Sequence, residues 1–333
     1  MPSFSNSEVG RKIAKLAPGI LLAFTIAAAA RFVSEHYGAP AMLFALLIGM
    51  AYHFMTEEGR CVAGVEYASN RLLKIGIALL GARVSFEQIA SLGIAPIIMV
   101  PCLIGLTIGG GVVLSKLFSR STDFGLLTGG AVAICGASAA LALSSVLPKS
   151  EEMRRDTLFT VVAVTSLSTV AMVLYPIIFG ALGLSDQQIG ILLGATIHDV
   201  AQVVGAGYAV SDEAGDIATY VKLLRVACLP LVIFTFAFAV RNRPMEEAKA
   251  PFPWFAIAFA IILAVNSFGL IPEPIRLSMD WVSRWFLIAA ISALGMKTSL
   301  KAMASLGPKH IGLVIAQTVL LFTAATVTVM FVL

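Results

Sequence analysis

The chain has 333 residues, 59% of them hydrophobic and 13% charged, with a formal net charge of +4 and a mean hydropathy of +0.93. Soluble domains carry about a quarter charged residues, so this composition excludes an ordinary soluble fold and predicts an all-α polytopic membrane protein. The small positive balance, without a long basic run or a basic–aromatic ladder, gives no support for nucleic-acid binding.

The N-terminal stretch "RKIAKLAPGILLAFTIAAAARF" joins a basic start to an apolar run and reads as an uncleaved first span, since many hydrophobic segments follow it. A span needs about 20 mostly apolar residues. That rule marks segments at 17–35, 40–56, 71–90, 94–118, 124–147, 157–182, 188–210, 217–240, 252–271, 284–304 and 310–333. They form a single membrane domain over 1–333 with about 9–11 transmembrane helices; no linker is long enough for a soluble core. Proline and charge punctuate the linkers "TEEGR", "KLFSRSTD", "PKSEEMRRD" and "RNRPMEEAKAPFP".

With the N-terminus inside, most Lys and Arg fall in inside loops, as cytoplasmic loops prefer. "PKSEEMRRD" objects, placing Lys149, Arg154 and Arg155 outside. The conflict disappears if 124–147 and 188–210 dip into the membrane from opposite faces, and both are rich in Gly and other small residues, as irregular membrane backbone is. Eleven full spans and nine spans with two broken or re-entrant segments both stay open; the small-residue content favours the second.

An internal echo supports an inverted repeat with halves at about 17–182 and 188–333. "ALLGARVSFEQIASLG" (78–93) matches "SALGMKTSLKAMASLG" (292–307) at seven of sixteen positions, with Arg83 opposite Lys297. Both topologies make the two copies cross in opposite directions, the mark of many secondary transporters. A weaker echo links "GGAVAICGASAALAL" with "LGATIHDVAQVVGAG".

The chemistry concentrates in three places. In "GATIHDVAQVVGAG" (194–207), His198, Asp199 and Gln202 interrupt an apolar stretch and share a helix face. An intramembrane carboxylate must meet a partner, a proton, an ion or water. His198 and Asp199 are therefore candidate coupling groups, with Gln202 beside them on a solute. A His–Asp pair satisfied within the bundle is the plainer alternative. In "GGAVAICGASAALALSS" (129–145), a glycine break presents backbone N–H groups at the start of the resumed helix, an anion site to which Cys135, Gly136 and Ser138 contribute. Close helix packing on small residues explains the same pattern equally well. In "YVKLLRVACLP" (220–230), Lys222 and Arg225 lie three apart on one face and would attract an anion if they face inward, although Lys222 has an equal claim to snorkel to the interface. Asn266, mid-segment in "ILAVNSFG", is a lesser solute-binding candidate, and a helix-packing hydrogen bond is its weightier reading. Arg83 and Lys297 read as interface anchors.

Cys61, Cys102 and Cys228 read as small apolar filler, and no CxxC pair suggests a metal. No P-loop, H-E-x-x-H or G-x-S-x-G motif is present, so neither a nucleotide pump nor a standard hydrolase is indicated. Uphill transport would have to draw on an ion gradient.

Together "ALLGARVSFEQI", "GGAVAICGASAALA", "GATIHDVAQVVGAG", "VKLLRV" and "PWFAIAFAIILAVNSFGLIP" resemble the YeiH-like family of bacterial inner-membrane proteins, often labelled sulfate exporters, over nearly the whole chain. The resemblance implies a fold related to inverted-repeat carriers of the cation–proton antiporter and bile-acid symporter type, a multi-pass place in the bacterial inner membrane, and a small anion as cargo. The leading expectation is a secondary active transporter of sulfate or a related sulfur-containing anion, working by alternating access with H+ or Na+ as coupling ion. No cofactor, resident metal or catalytic residue is expected. The expected partners are the anionic solute, the lipid bilayer and a second copy of the chain. An integral-membrane enzyme using His198 and Asp199 as an acid–base pair, and a passive anion channel, are the alternatives.

Overall fold

The structure is a computed structural model, which describes residues 8–37, 40–56, 59–148, 150–239, 254–298 and 308–332. Among these residues every regular element is helical. The α-helices are α1 (Glu8–Tyr37), α2 (Ala41–Ala51), α3 (Val62–Tyr67), α4 (Leu73–Leu80), α5 (Phe86–Ser91), α6 (Ala95–Leu117), α7 (Thr122–Ala133), α8 (Ala137–Ser144), α9 (Glu151–Ala181), α10 (Asp186–Thr196), α11 (Val200–Tyr208), α12 (Asp212–Ala227), α13 (Leu229–Ala239), α14 (Trp254–Ser267), α15 (Glu273–Lys297) and α16 (Pro308–Val332). Among the described residues six helical stretches are long and apolar enough to cross a membrane: Arg11–Tyr37, Ala95–Leu117, Glu151–Ala181, Asp212–Phe236, Glu273–Lys297 and Ile311–Val332. Large apolar side chains such as Val113, Leu158, Ile177, Phe234 and Phe331 stand exposed on these helices, where a bilayer and not water is the fitting solvent. The chain is an all-α polytopic membrane protein.

Helix starts follow from local chemistry. Ser121, Ser150, Ser185 and Ser211 each accept a backbone N–H from the first turn of α7, α9, α10 and α12. Acidic residues follow in each first turn, Asp123, Glu151, Asp186 and Asp212 among them, where the helix dipole favours negative charge.

Two of the expected segments shift. The segment placed at 284–304 is a helix that starts eleven residues earlier, at Glu273, and ends at Lys297. Hydropathy hides its first turns because Glu273, Arg276, Asp280 and Arg284 are charged, yet these pair along the helix at 3.4 Å (Arg276–Glu273) and 3.1 Å (Arg284–Asp280). Residues 299–304 of that segment, and 299–307 of the second echo copy, lie outside the described residues. The segment placed at 71–90 runs instead from Val62 to Leu80 through a π-helical turn at Ala68–Leu72, which absorbs the polar "SNR".

The chain forms two compact units: Met1–Ile89 with Phe255–Ser299, and Ala90–Trp254 with Leu300–Leu333. In the first, α15 packs against α1, α2 and α4. The Ser283 hydroxyl donates to Gly76 O at 2.7 Å, and His53 Nδ1 and the Thr56 hydroxyl both hold Met296 O near the C-terminal end of α15. In the second unit α7 packs against α6, and α10 and α11 pack against α12. There a Cβ on Gly194 would fall 2.5 Å from Ala218 O, so only glycine lets α10 lie this close to α12.

Candidate functional site

Two helices of the second unit are broken at their middles. The first break follows α7. Ile134 leaves helical geometry (φ −116°, ψ −85°), and Gly136 turns the chain at φ +61°, ψ −121°, a conformation that side chains with a Cβ rarely adopt. Gly136 N donates back to Ala131 O at 2.9 Å, and α8 resumes at Ala137. The second break follows α10. Ile197 and Asp199 are both extended, and α11 resumes at Val200. Asp199 is the N-cap residue of α11, and its N–H donates to the Ser168 hydroxyl of α9 at 3.0 Å. The segments 124–147 and 188–210 are thus broken helices, as their small-residue content suggested.

The two breaks meet. A Cβ placed on Gly136 would lie 3.5 Å from His198 Cβ. A break leaves the last carbonyls of one half-helix and the first N–H groups of the next without intrahelical partners, and inside a membrane each unsatisfied group costs several kcal/mol.

Lys222 and Arg225, both on α12 and both buried, satisfy the carbonyls. Lys222 Nζ donates to Ile134 O at 2.6 Å, to Ile197 O at 2.9 Å and to His198 O. Three acceptors match the three N–H groups of an ammonium; a neutral amine has two. Arg225 donates from Nε to Ala133 O at 2.8 Å, from Nη1 to Gly194 O and Ile197 O at 3.0 and 2.9 Å, and from Nη2 to Val132 O at 2.7 Å. The two side chains therefore clamp the C-terminal ends of α7 and α10 together, with positive charge at the negative ends of both dipoles. Neither cation stands open to a solute in the way that attraction of an anion by the side chains themselves would require.

The N-terminal ends remain. Neither Gly136 nor Asp199 supplies a side-chain cap to the helix it starts. The Cys135 sulfur is buried and faces the N–H of Ala139 in the first turn of α8, while Ser138 in the same turn is exposed. With Asp199 ionised, two cations outnumber one carboxylate, and the half-charges at two helix C-termini are answered by those at two N-termini. The junction carries a balance of about one positive charge.

His198 is fully buried. Its Nε2 lies 3.0 Å from the Thr318 hydroxyl of α16, and the Val132 carbonyl faces the ring. Gln202, also fully buried, donates from Nε2 to the Thr169 hydroxyl at 3.4 Å, and its Oε1 has no partner. Asp199 is partly exposed. Cys135, Gly136, Ser138, His198, Asp199, Gln202, Lys222 and Arg225 thus belong to the same compact unit. Asn266 does not: it sits in the first unit, where its Nδ2 donates to Val84 O at 3.3 Å. Sequence reasoning missed Ser168, Thr169 and Thr318, whose signal was present as polar residues in the apolar segments "TSLST" and "AQTV". Among the described residues no cluster of three or more His, Cys, Asp or Glu could hold a metal.

Comparison with known proteins gives the lineage. The family described as conserved hypothetical protein 698 matches residues 18–314. A UPF0324 membrane protein of Chlorobaculum tepidum is 51% identical over 91% of this chain and 86% of its own length. A UPF0324 membrane protein of Rhizobium meliloti is 50% identical over 90% and 89%. The UPF0324 membrane protein TauZ of Paracoccus denitrificans is 48% identical over 93% and 94%.

Proposed function

The chain belongs to the UPF0324 family of membrane proteins, described as conserved hypothetical protein 698, and from that premise we propose that it is a secondary carrier of a small anion in the bacterial inner membrane. The observation that carries this reading is the junction of two broken helices inside an apolar bundle. Its C-terminal carbonyls are spent on Lys222 and Arg225, while neither Gly136 nor Asp199 caps with a side chain the helix it starts. Uncapped helix N-termini next to surplus positive charge favour an anion, and discontinuous helices meeting near the middle of the bundle are a common carrier design.

The roles of the cations change accordingly. Lys222 and Arg225 act at one remove, fixing the two breaks and supplying the field, while backbone N–H groups near Ala137 and Val200, with the Ser138 hydroxyl, make the contacts. Asp199, partly exposed at the α11 N-terminus, is the coupling group for H+ or Na+. The ring of His198 meets the Thr318 hydroxyl at Nε2. The complete site lies within one compact unit, so access can alternate without rearranging the ligands. The cargo is sulfate or another small sulfur-containing anion.

The test is flux into proteoliposomes of the purified chain for sulfate, sulfite, thiosulfate and short sulfonates, with and without an imposed pH or sodium gradient. Saturable, gradient-driven uptake of one of these is the expected result. Flux that never saturates identifies a channel instead, and no flux of any anion ends the reading.

A further inference from the structure

We infer that residues 122–147 and 186–210 are two re-entrant hairpins entering the membrane from opposite faces, the first from the cytoplasmic side and the second from the outer side. They meet tip to tip at the junction, whatever solute that junction carries.

The half-helices fold back and do not continue one another. Were α7 and α8 one interrupted span, Gly130 and Leu143 would stand about 20 Å apart at ~1.5 Å per residue. Instead a Cβ on Gly130 would run into the Leu143 side chain, so α8 returns along α7. The return reaches the root. Arg120, just before α7, donates from Nη2 to both carboxylate oxygens of Asp156, near the start of α9, at 2.8 and 3.0 Å. Asp156 is buried, and the Arg120 guanidinium lies over the Phe124 ring. The entry of the first segment and its exit are thus fastened side by side.

The second segment returns in the same way against α12. Along α10 the contacts climb α12: a Cβ on Gly190 would fall 2.9 Å from Ala214 O, and one on Gly194 2.5 Å from Ala218 O. Along α11 they descend it. Lys222 Nζ holds His198 O ahead of that helix, a Cβ on Gly207 would lie 2.8 Å from Gly215 Cα, and the Tyr208 hydroxyl donates to Asp216. So α10 runs parallel to α12 and α11 antiparallel to it, with the turn at 197–199. Each of the four half-helices is about 12–18 Å long, near half of the ~30 Å hydrocarbon core. The 31 residues of α9 extend about 46 Å and cross it. That helix lies between the two hairpins in sequence, which puts their roots on opposite faces.

Charge says which face is which. Lys116, Arg120, Lys149, Arg154 and Arg155 flank the first hairpin, and cytoplasmic loops collect Lys and Arg. Residues 182–188 and 209–217, at the root of the second, hold Asp186, Asp212, Glu213 and Asp216 and no Lys or Arg. Irregular backbone is tolerated at membrane depth where protein surrounds it, and Ile134, Cys135, Gly136, Ile197 and His198 at the two tips are all buried. Each face of the membrane therefore meets one hairpin. At the middle two tips, joined through Lys222, stand where a continuous span would otherwise be.

The first hairpin can be tested without a substitution. A membrane-impermeant amine reagent is applied to spheroplasts and to inverted membrane vesicles, and modified lysines of the purified chain are read by mass spectrometry. Lys116 and Lys149, on either side of α7 and α8, should both be modified in the vesicles and spared in the spheroplasts. For the second hairpin, Asp186→Cys and Glu213→Cys, both at exposed positions, should react with an impermeant maleimide in spheroplasts and be spared in inverted vesicles. The unaltered protein is the blank for its four native cysteines. Failure of Lys149 to react in inverted vesicles overturns the inference, and its reaction in spheroplasts instead makes 122–147 a full crossing. Labelling of positions 186 and 213 from opposite faces, or of both from the cytoplasmic face, overturns it equally. The lysine comparison decides in the unaltered protein even if a cysteine variant fails to fold.

Discussion

Replacing Lys222 and Arg225 separately by methionine gives two different losses that can be worked out from the bonds. Without Lys222, Ile134 O and His198 O are orphaned, while Ile197 O keeps Arg225 Nη1. Without Arg225, Val132 O, Ala133 O and Gly194 O are orphaned, while Ile197 O keeps Lys222. At about 1–3 kcal/mol per orphaned buried acceptor, Lys222→Met loses about 2–6 kcal/mol and Arg225→Met about 3–9 kcal/mol. Removing a buried cation also removes its desolvation penalty, which offsets part of both figures. The ordering survives that offset, because the guanidinium is the more weakly hydrated ion and returns less of it. The assay is the thermal unfolding midpoint of purified protein in detergent, for which 1 kcal/mol corresponds to roughly 2–4 °C in a body of about 200 residues. Arg225→Met should melt lower than Lys222→Met, and both well below the unaltered protein. If both midpoints stay put while anion affinity falls, the cations serve the solute and the carbonyl clamp is refuted.

Other consequences follow from single residues. Gly136→Ala should lower the midpoint through backbone strain of about 1–3 kcal/mol at φ +61°, since its Cβ would meet only ordinary contacts; an unchanged midpoint would mean that the turn is not held as described. Gly194→Ala should cost about 1–3 kcal/mol by a different route, forcing α10 away from Ala218 O, and a double substitution with Gly136→Ala tests whether the two effects add. Ser168→Ala removes the acceptor of Asp199 N–H and should cost about 1–3 kcal/mol in the same melting assay, whereas Ser168→Thr keeps the hydroxyl and should cost less.

The membrane class and the two broken segments were legible because composition and small-residue clustering report on solvent and backbone directly. Helix starts were legible in principle, since Ser121, Ser150, Ser185 and Ser211 all precede acidic first turns. The first turns of α15 were not, because Arg276, Asp280 and Arg284 look like a loop to a hydropathy window and reveal themselves as helix only through their i,i+3 and i,i+4 partners. The same holds for the cations. Sequence placed Lys222 and Arg225 on one face, which is correct, but spacing cannot say whether that face meets a solute or six main-chain carbonyls from segments 24 to 93 residues away in sequence. Ser168 and Thr318 were overlooked because a hydroxyl in an apolar helix commonly bonds its own turn, as Thr318 does with Val314 O. Only the tertiary arrangement shows the second bond.

The charge balance at the junction separates binding from coupling. Among the described residues Asp199 is the one carboxylate at the two breaks, and it acts electrostatically on Lys222. Asp199 makes no side-chain cap and Asn has nearly its volume, so Asp199→Asn should fold and keep the N–H bond to Ser168. For an anion seated about 6–8 Å from the carboxylate, removing that charge at an effective dielectric of about 20 relieves about 2–3 kcal/mol of repulsion. Affinity should then rise roughly 30- to 150-fold; partial exposure of Asp199 favours the lower end. Gradient-driven accumulation should disappear in the same variant, because no titratable or cation-binding carboxylate is left at the breaks. Titration calorimetry reads the first change and flux under an imposed gradient the second. Tighter binding with lost accumulation is the signature of a carboxylate that shares a site with an anion. Unchanged affinity with accumulation intact would put the coupling group elsewhere and leave Asp199 only its main-chain bond to Ser168.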